Sequence, residues 1–137
     1  MISAPLQARL LDAGLLLLRL TAGYVGVLHG SQKIQRGVDT FAQNLPKGVP
    51  MPEVSAWLAV GAELGGGILL ILGLLTRLAT LPFIFTMGVA FFLAHGAKLV
   101  GQGNGEHALV VGMMLIAILL AGAGRFSLDA LLLKRRG

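Results

Sequence analysis

The chain has 137 residues, of which 55% are hydrophobic and only 12% charged, with a mean hydropathy of +0.83. A soluble domain carries about 25% charged residues, so this is the composition of an integral membrane protein, and the length leaves room for a single domain, 1–137, and no separate soluble unit. The lack of cysteine excludes disulfides, thiol catalysis, iron–sulfur clusters and Cys-ligated zinc, and the net charge of +5 sits on residues flanking apolar runs, which selects anionic lipid headgroups over nucleic acid.

The first apolar run, 10–29, is long enough as a helix to cross a ~30 Å hydrocarbon core. Arg9 before it and Thr21, Ala22 and Gly23 within it also suit a signal peptide, but Arg19 inside the run argues for a retained span. Ile34, Val38, Phe41 and Leu45 then recur at helical spacing in a polar segment, predicting a short interfacial helix between spans one and two. Pro46, Pro50 and Pro52 end it. Pro52 suits a first helical position and Glu53 a first turn, so the second span, 54–75, starts there.

A short link at Thr76-Arg77 forces an antiparallel hairpin between span two and the third span, 78–94. The segment from His95 to Gly105 is glycine-rich and polar, with Asn104 as N-cap for the fourth span, 108–123. Ser127 caps a final amphipathic turn ending in Lys134, Arg135 and Arg136. The expected fold is all-α: an integral membrane four-helix bundle of two antiparallel hairpins. Arg9, Arg77, Arg125, Lys134, Arg135 and Arg136 on one side outnumber Lys33, Arg36, Lys47 and Lys98 on the other, which puts both termini in the cytoplasm.

Arg19 and Glu63 lie at similar depths in the first two runs, and a lone charge there costs about 2.5–3.5 kcal/mol on insertion scales. A buried ion pair between them is the expected solution. Arg19, Gly23, Gly26, Gly30 and Lys33 advance by four and three residues and form one stripe, while Ala56, Ala59, Glu63, Gly66 and Gly67 form a facing one. Such small-residue stripes let helices approach closely in lipid.

A second constellation gathers at the opposite ends of the spans: His29, Gln32, Lys33, His95, Lys98, Asn104, Glu106 and His107. These residues lack metal-ligand spacing, so neither a metal nor a haem is expected. Two readings stay open. They are interfacial decoration, or they form a polar site for a small or quinone-like ligand, in which His29 or His95 binds a carbonyl and Glu106 or His107 exchanges protons.

In order and spacing, Leu17-Leu18-Arg19-Leu20, His29-Gly30-Ser31-Gln32-Lys33, Gly48-Val49-Pro50-Met51-Pro52, Glu63-Leu64-Gly65-Gly66-Gly67, Leu72-Gly73-Leu74-Leu75-Thr76-Arg77 and Gly122-Ala123-Gly124-Arg125-Phe126-Ser127-Leu128-Asp129 resemble the DoxX family across nearly the whole chain. The family usually has proline where Ala123 stands and often tyrosine where Phe126 stands. The resemblance implies a four-helix bacterial inner-membrane protein, an accessory subunit of a redox complex linked to quinone, thiosulfate or oxidative-stress chemistry. A redox protein and a second copy of the chain are then candidate partners. The alternative is a small-solute or ion transport module built on the Arg19 and Glu63 pair.

Overall fold

The computed structural model describes residues 3–134, which contain helices and no strand. Helix α1 is Ala4–Arg36, with a proline in its first turn, and it stops at Gly37, whose φ of 90° a side chain would resist. Helix α2, Val38–Gln43, follows at once and packs against α3, Pro52–Leu72. Helix α4 is Thr76–Ala94, α5 is Glu106–Ala121 and α6 is Leu128–Lys134. Helices α1, α3 and α4 are long and apolar enough to cross a membrane; α5 is apolar but shorter.

Helices α1 and α4 outrun the expected spans, whereas α3 and α5 each start two residues early and stop short of 75 and 123, at Leu72 and Ala121. Helix α1 covers Ala4–Arg36 rather than 10–29, because Gln7, Arg9, Gln32, Lys33 and Arg36 are good helix formers, and hydropathy reads immersion rather than helicity. Thr76 and Arg77 belong to α4 and not to the link. The turn is Gly73 to Leu75, made tight by left-handed backbone at Gly73 (φ 67°) and Leu75 (φ 48°). Ser127 does cap α6, its Oγ accepting from Ala130 N at 3.1 Å. Asn104 stands one residue outside the N-cap of α5, which is Gly105, and its Oδ1 accepts from Glu106 N at 3.2 Å. Arg135 and Arg136 lie outside the described residues.

Helix α1 packs on α3 and on α5, and α4 packs on α3 and α5. The α1 face that meets α3 is the small-residue stripe: Arg19, Ala22, Gly23, Gly26 and Gly30 are its buried residues. A Cβ on Gly67 would stand 2.6 Å from the Gly23 carbonyl oxygen and 2.9 Å from Val27 N, and one on Gly30 would stand 2.7 Å from the Leu64 side chain. The two backbones touch here. Meanwhile the outer surface is apolar, with Phe85 73% and Leu120 75% exposed, and the interior holds Arg19, Glu63, Thr76 and Thr80. Phe83, Leu70, Leu115 and Ile118 are buried as well, so large apolar side chains both fill the core and cover the outside, an arrangement that suits lipid as the solvent. This is a membrane protein.

Because Gly67 faces backbone that cannot retreat, Gly67→Ala should lower thermal stability in detergent by about 1–3 kcal/mol through overpacking. Gly14, with nothing within 4 Å of its Cβ position, is the control. Gly14→Ala should be neutral or stabilising, by about 0.5–1 kcal/mol. Equal melting shifts for the two variants would contradict the close-contact interface.

Candidate functional site

Arg19 and Glu63 are both 1% exposed, yet the structure does not pair them. The Arg19 guanidinium donates through Nη2 to the Phe126 carbonyl and lies against Gly73, while the Glu63 carboxylate forms its ion pair with Lys33. Register explains the difference. With Gly23 set against Gly67, the backbone of Glu63 falls against Gly26, seven residues beyond Arg19, or ~10 Å along the axis. Counting depth from the edges of apolar runs had placed the two level; the true helix starts and the glycine contact do not.

Around Arg19, three chain segments are tied together. Asp129 N donates to the Gly73 carbonyl at 2.9 Å, and the Asp129 carboxylate accepts from Leu75 N (2.8 Å) and Thr76 N (2.9 Å), capping α4 from α6. Partial burial works against the ionised Asp129, but these hydrogen bonds and the charge of Arg19 outweigh it and hold the group below its ordinary value. Arg125 N donates to Asp12 Oδ1 at 3.0 Å, tying the same tail to α1. Nε and Nη1 of Arg19 and Oγ1 of Thr76 have no hydrogen-bond partner among the described residues. The guanidinium is therefore held by charge and by one carbonyl.

The other constellation is built around a π-helical turn, Gly61–Gly65, inside α3. A π turn widens the helix by one residue, and it buries the adjacent Ala62 and Glu63 together. Lys33 Nζ, bonded to Glu63 Oε2, also stands 4.9 Å above the Phe41 ring of α2. The His29 and His107 rings stack with centroids 4.6 Å apart at 23°. His29, Lys33, Glu63 and His107 all line a cavity of about 1140 Å³ whose other walls are mostly apolar surface from α3 and α4, and whose rim carries the exposed Trp57, Leu58 and Phe85.

Of the residues expected at this end, His29, Lys33, His95 and His107 line that cavity. The His95 Nδ1 is engaged by the Gly103 carbonyl at 2.8 Å. Glu106, Gln32 and Lys98 are exposed and outside the wall. Glu63 joins a cluster in which it was not expected, and Phe41, Gly73, Phe126 and Asp129 were not recognised as partners. One signal was available: aligning the glycine stripes as an antiparallel contact, Gly23 to Gly67, carries Glu63 past Arg19 toward Lys33.

Removing Lys33 should strand a carboxylate that is almost wholly buried. Lys33→Leu should therefore cost about 3–5 kcal/mol of stability, and Lys33→Leu with Glu63→Leu should recover most of it. Detergent melting curves of the two singles and the double decide this. A double variant as unstable as Lys33→Leu alone would break the pairing.

The DoxX family model matches residues 14–96. The chain is 34% identical over 121 residues to an uncharacterised protein of Haemophilus influenzae, covering 82% of this chain and 85% of the other. It is 28% identical to a Bacillus subtilis protein named "Putative oxidoreductase CatD" (90% of each chain) and 31% identical to inner membrane protein YphA of Escherichia coli (84% and 87%). No solved structure matches the chain. With the family model matched over residues 14–96, more than half of its length, this chain belongs to the DoxX family of membrane proteins.

Proposed function

We propose that this protein is a membrane-embedded accessory subunit of a redox complex and that the cavity between α3 and α4 receives a quinone-like ring. The observation that carries the reading is the cavity itself: apolar over most of its wall, with His29, Lys33, Glu63 and His107 gathered at one end. That combination suits a flat apolar ring bearing oxygens. Lys33 and His29 can donate to a ring oxygen, and an imidazole can both take up and release a proton. An oxidoreductase name among the relatives favours a redox role. Thiosulfate or oxidative-stress chemistry would then belong to a partner protein, since this chain has no thiol to perform it.

In the same reading all four apolar helices cross the inner membrane as two hairpins, α2 lies at the interface and both termini face the cytoplasm. The transport alternative needs Arg19 and Glu63 on one path. An axial offset of ~10 Å, with each charge engaged elsewhere, removes its premise.

Trp57, the sole tryptophan, stands on the cavity wall and serves as a probe. Decylubiquinone should quench its fluorescence saturably, and Ala59→Phe, which fills the same wall, should weaken the apparent affinity by roughly tenfold, or about 1.4 kcal/mol. Quenching that rises linearly without saturation would refute the site. For orientation, reporter fusions after Gln43 and after Gln102 should report outside and a fusion after Gly137 should report cytoplasm. The reverse pattern would invert the topology and move the histidine cluster inside.

A further inference from the structure

We propose that Glu63 and Lys33 together form the group that exchanges protons with an oxygen entering the cavity, and that the stacked His29 and His107 connect this pair to water; the role rests on the quinone reading of the cavity. Three observations lead there. First, the titratable residues on the cavity wall among the described residues are His29, Lys33, Glu63, His95 and His107, all at one end, while the far end around Leu69, Leu75 and Leu78 is apolar. That end holds the groups on the wall that can pass a proton.

Second, exposure rises in steps along the cluster. The Glu63 side chain is 2% exposed and that of Lys33 20%, His29 is half-buried, and His107, in the first turn of α5, is exposed. Third, Lys33 Nζ is bonded to Glu63 Oε2, the imidazoles of His29 and His107 are stacked at 4.6 Å, and all four line the same cavity, so water in the cavity can bridge the ring edges to the pair. The groups facing the pair are His29 from α1, the Phe41 ring from α2 and His107 from α5, and His95, the residue after α4, is occupied by the Gly103 carbonyl.

The exchange balances without any redox partner. The pair holds one dissociable proton, on Lys33 Nζ and shared toward Glu63 Oε2. When a ligand oxygen takes it, one N–H bond breaks, one O–H bond forms and the pair keeps the carboxylate charge. A proton from hydronium then returns by way of His107 and His29 with cavity water bridging the ring edges: the first transfer breaks a hydronium O–H bond and forms an imidazole N–H bond, and the last breaks a bridging O–H bond and restores the N–H bond on Lys33. No electron moves in this exchange.

The test uses the full chain in nanodiscs without quinone. Infrared spectra after transfer to deuterated buffer follow the Glu63 carboxylate band, assigned by labelled glutamate and by its loss in Glu63→Gln, as its hydrogen bond from Lys33 exchanges to deuterium. His29→Phe with His107→Phe, which keeps two stacked rings, should slow that exchange by roughly tenfold or more. Exchange at the wild-type rate would overturn the route. Should the double variant not fold, His107→Gln alone, at an exposed position, carries the same two outcomes. Saturable quenching of Trp57 in the wild type judges the quinone reading separately. Histidine-dependent exchange without quenching keeps the proton route and removes quinone as its ligand, whereas quenching with histidine-independent exchange keeps the ligand and removes the route.

Discussion

Backbone contact between Gly23 and Gly67 fixes the register of α1 against α3, and the placement of every buried charge follows from it. In lipid, no hydrophobic force drives two apolar helices together, so their association depends on van der Waals contact over surfaces that can come close. Glycine supplies that surface on both sides. Once Gly23 meets Gly67, Gly26 must meet the backbone of Glu63 and Gly30 must meet Leu64, which delivers the Glu63 carboxylate to Lys33. Arg19 is left beyond the last turn of that contact, at the level of the α3 to α4 turn.

The two buried charges therefore solve the same desolvation problem in different ways. Glu63 is neutralised by a directed ion pair whose cation is itself partly exposed and lies over an aromatic ring. Arg19 finds a carbonyl of the tail and the nearby charge of Asp129, whose oxygens are committed to the first N–H groups of α4. One arrangement borders a cavity and the other locks chain segments together. A buried charge held among backbone groups rigidifies a structure, whereas one facing a cavity is placed to meet a ligand. That contrast is the physical basis for assigning chemistry to the Glu63 end and architecture to the Arg19 end.

Local helix irregularities separate the walls of the cavity. The π turn at Gly61–Gly65 and a second at Ala90–Ala94 lie in α3 and α4, and Pro82 interrupts the hydrogen-bond ladder of α4 between them. Thr86 Oγ1 donates to the Pro82 carbonyl at 3.0 Å, one turn back along the same helix. Pro82 and Glu63 line the same cavity. The π turn at Gly61–Gly65 thus serves two surfaces, meeting α1 at Gly26 and Gly30 and bordering the cavity through Glu63.

Apolar runs, prolines and the three- and four-residue spacing of glycines determined by themselves that this chain is an all-helical membrane protein, where its long helices lie and which face of α1 is buried, because those features act through local geometry and transfer from water. Ser127 as a cap and Pro52 as a helix start were legible for the same reason. The partners of Arg19 and Glu63 were not. Hydropathy marks where a helix is immersed but not where it begins, so depth counted from the run edges was off by several residues, enough to pair the wrong charges. Asp129 over the start of α4 and the stack of His29 on His107 join residues 53 and 78 positions apart. No local rule encodes such contacts; they exist because the glycine interface sets one helix against another, and only the tertiary structure fixes that register.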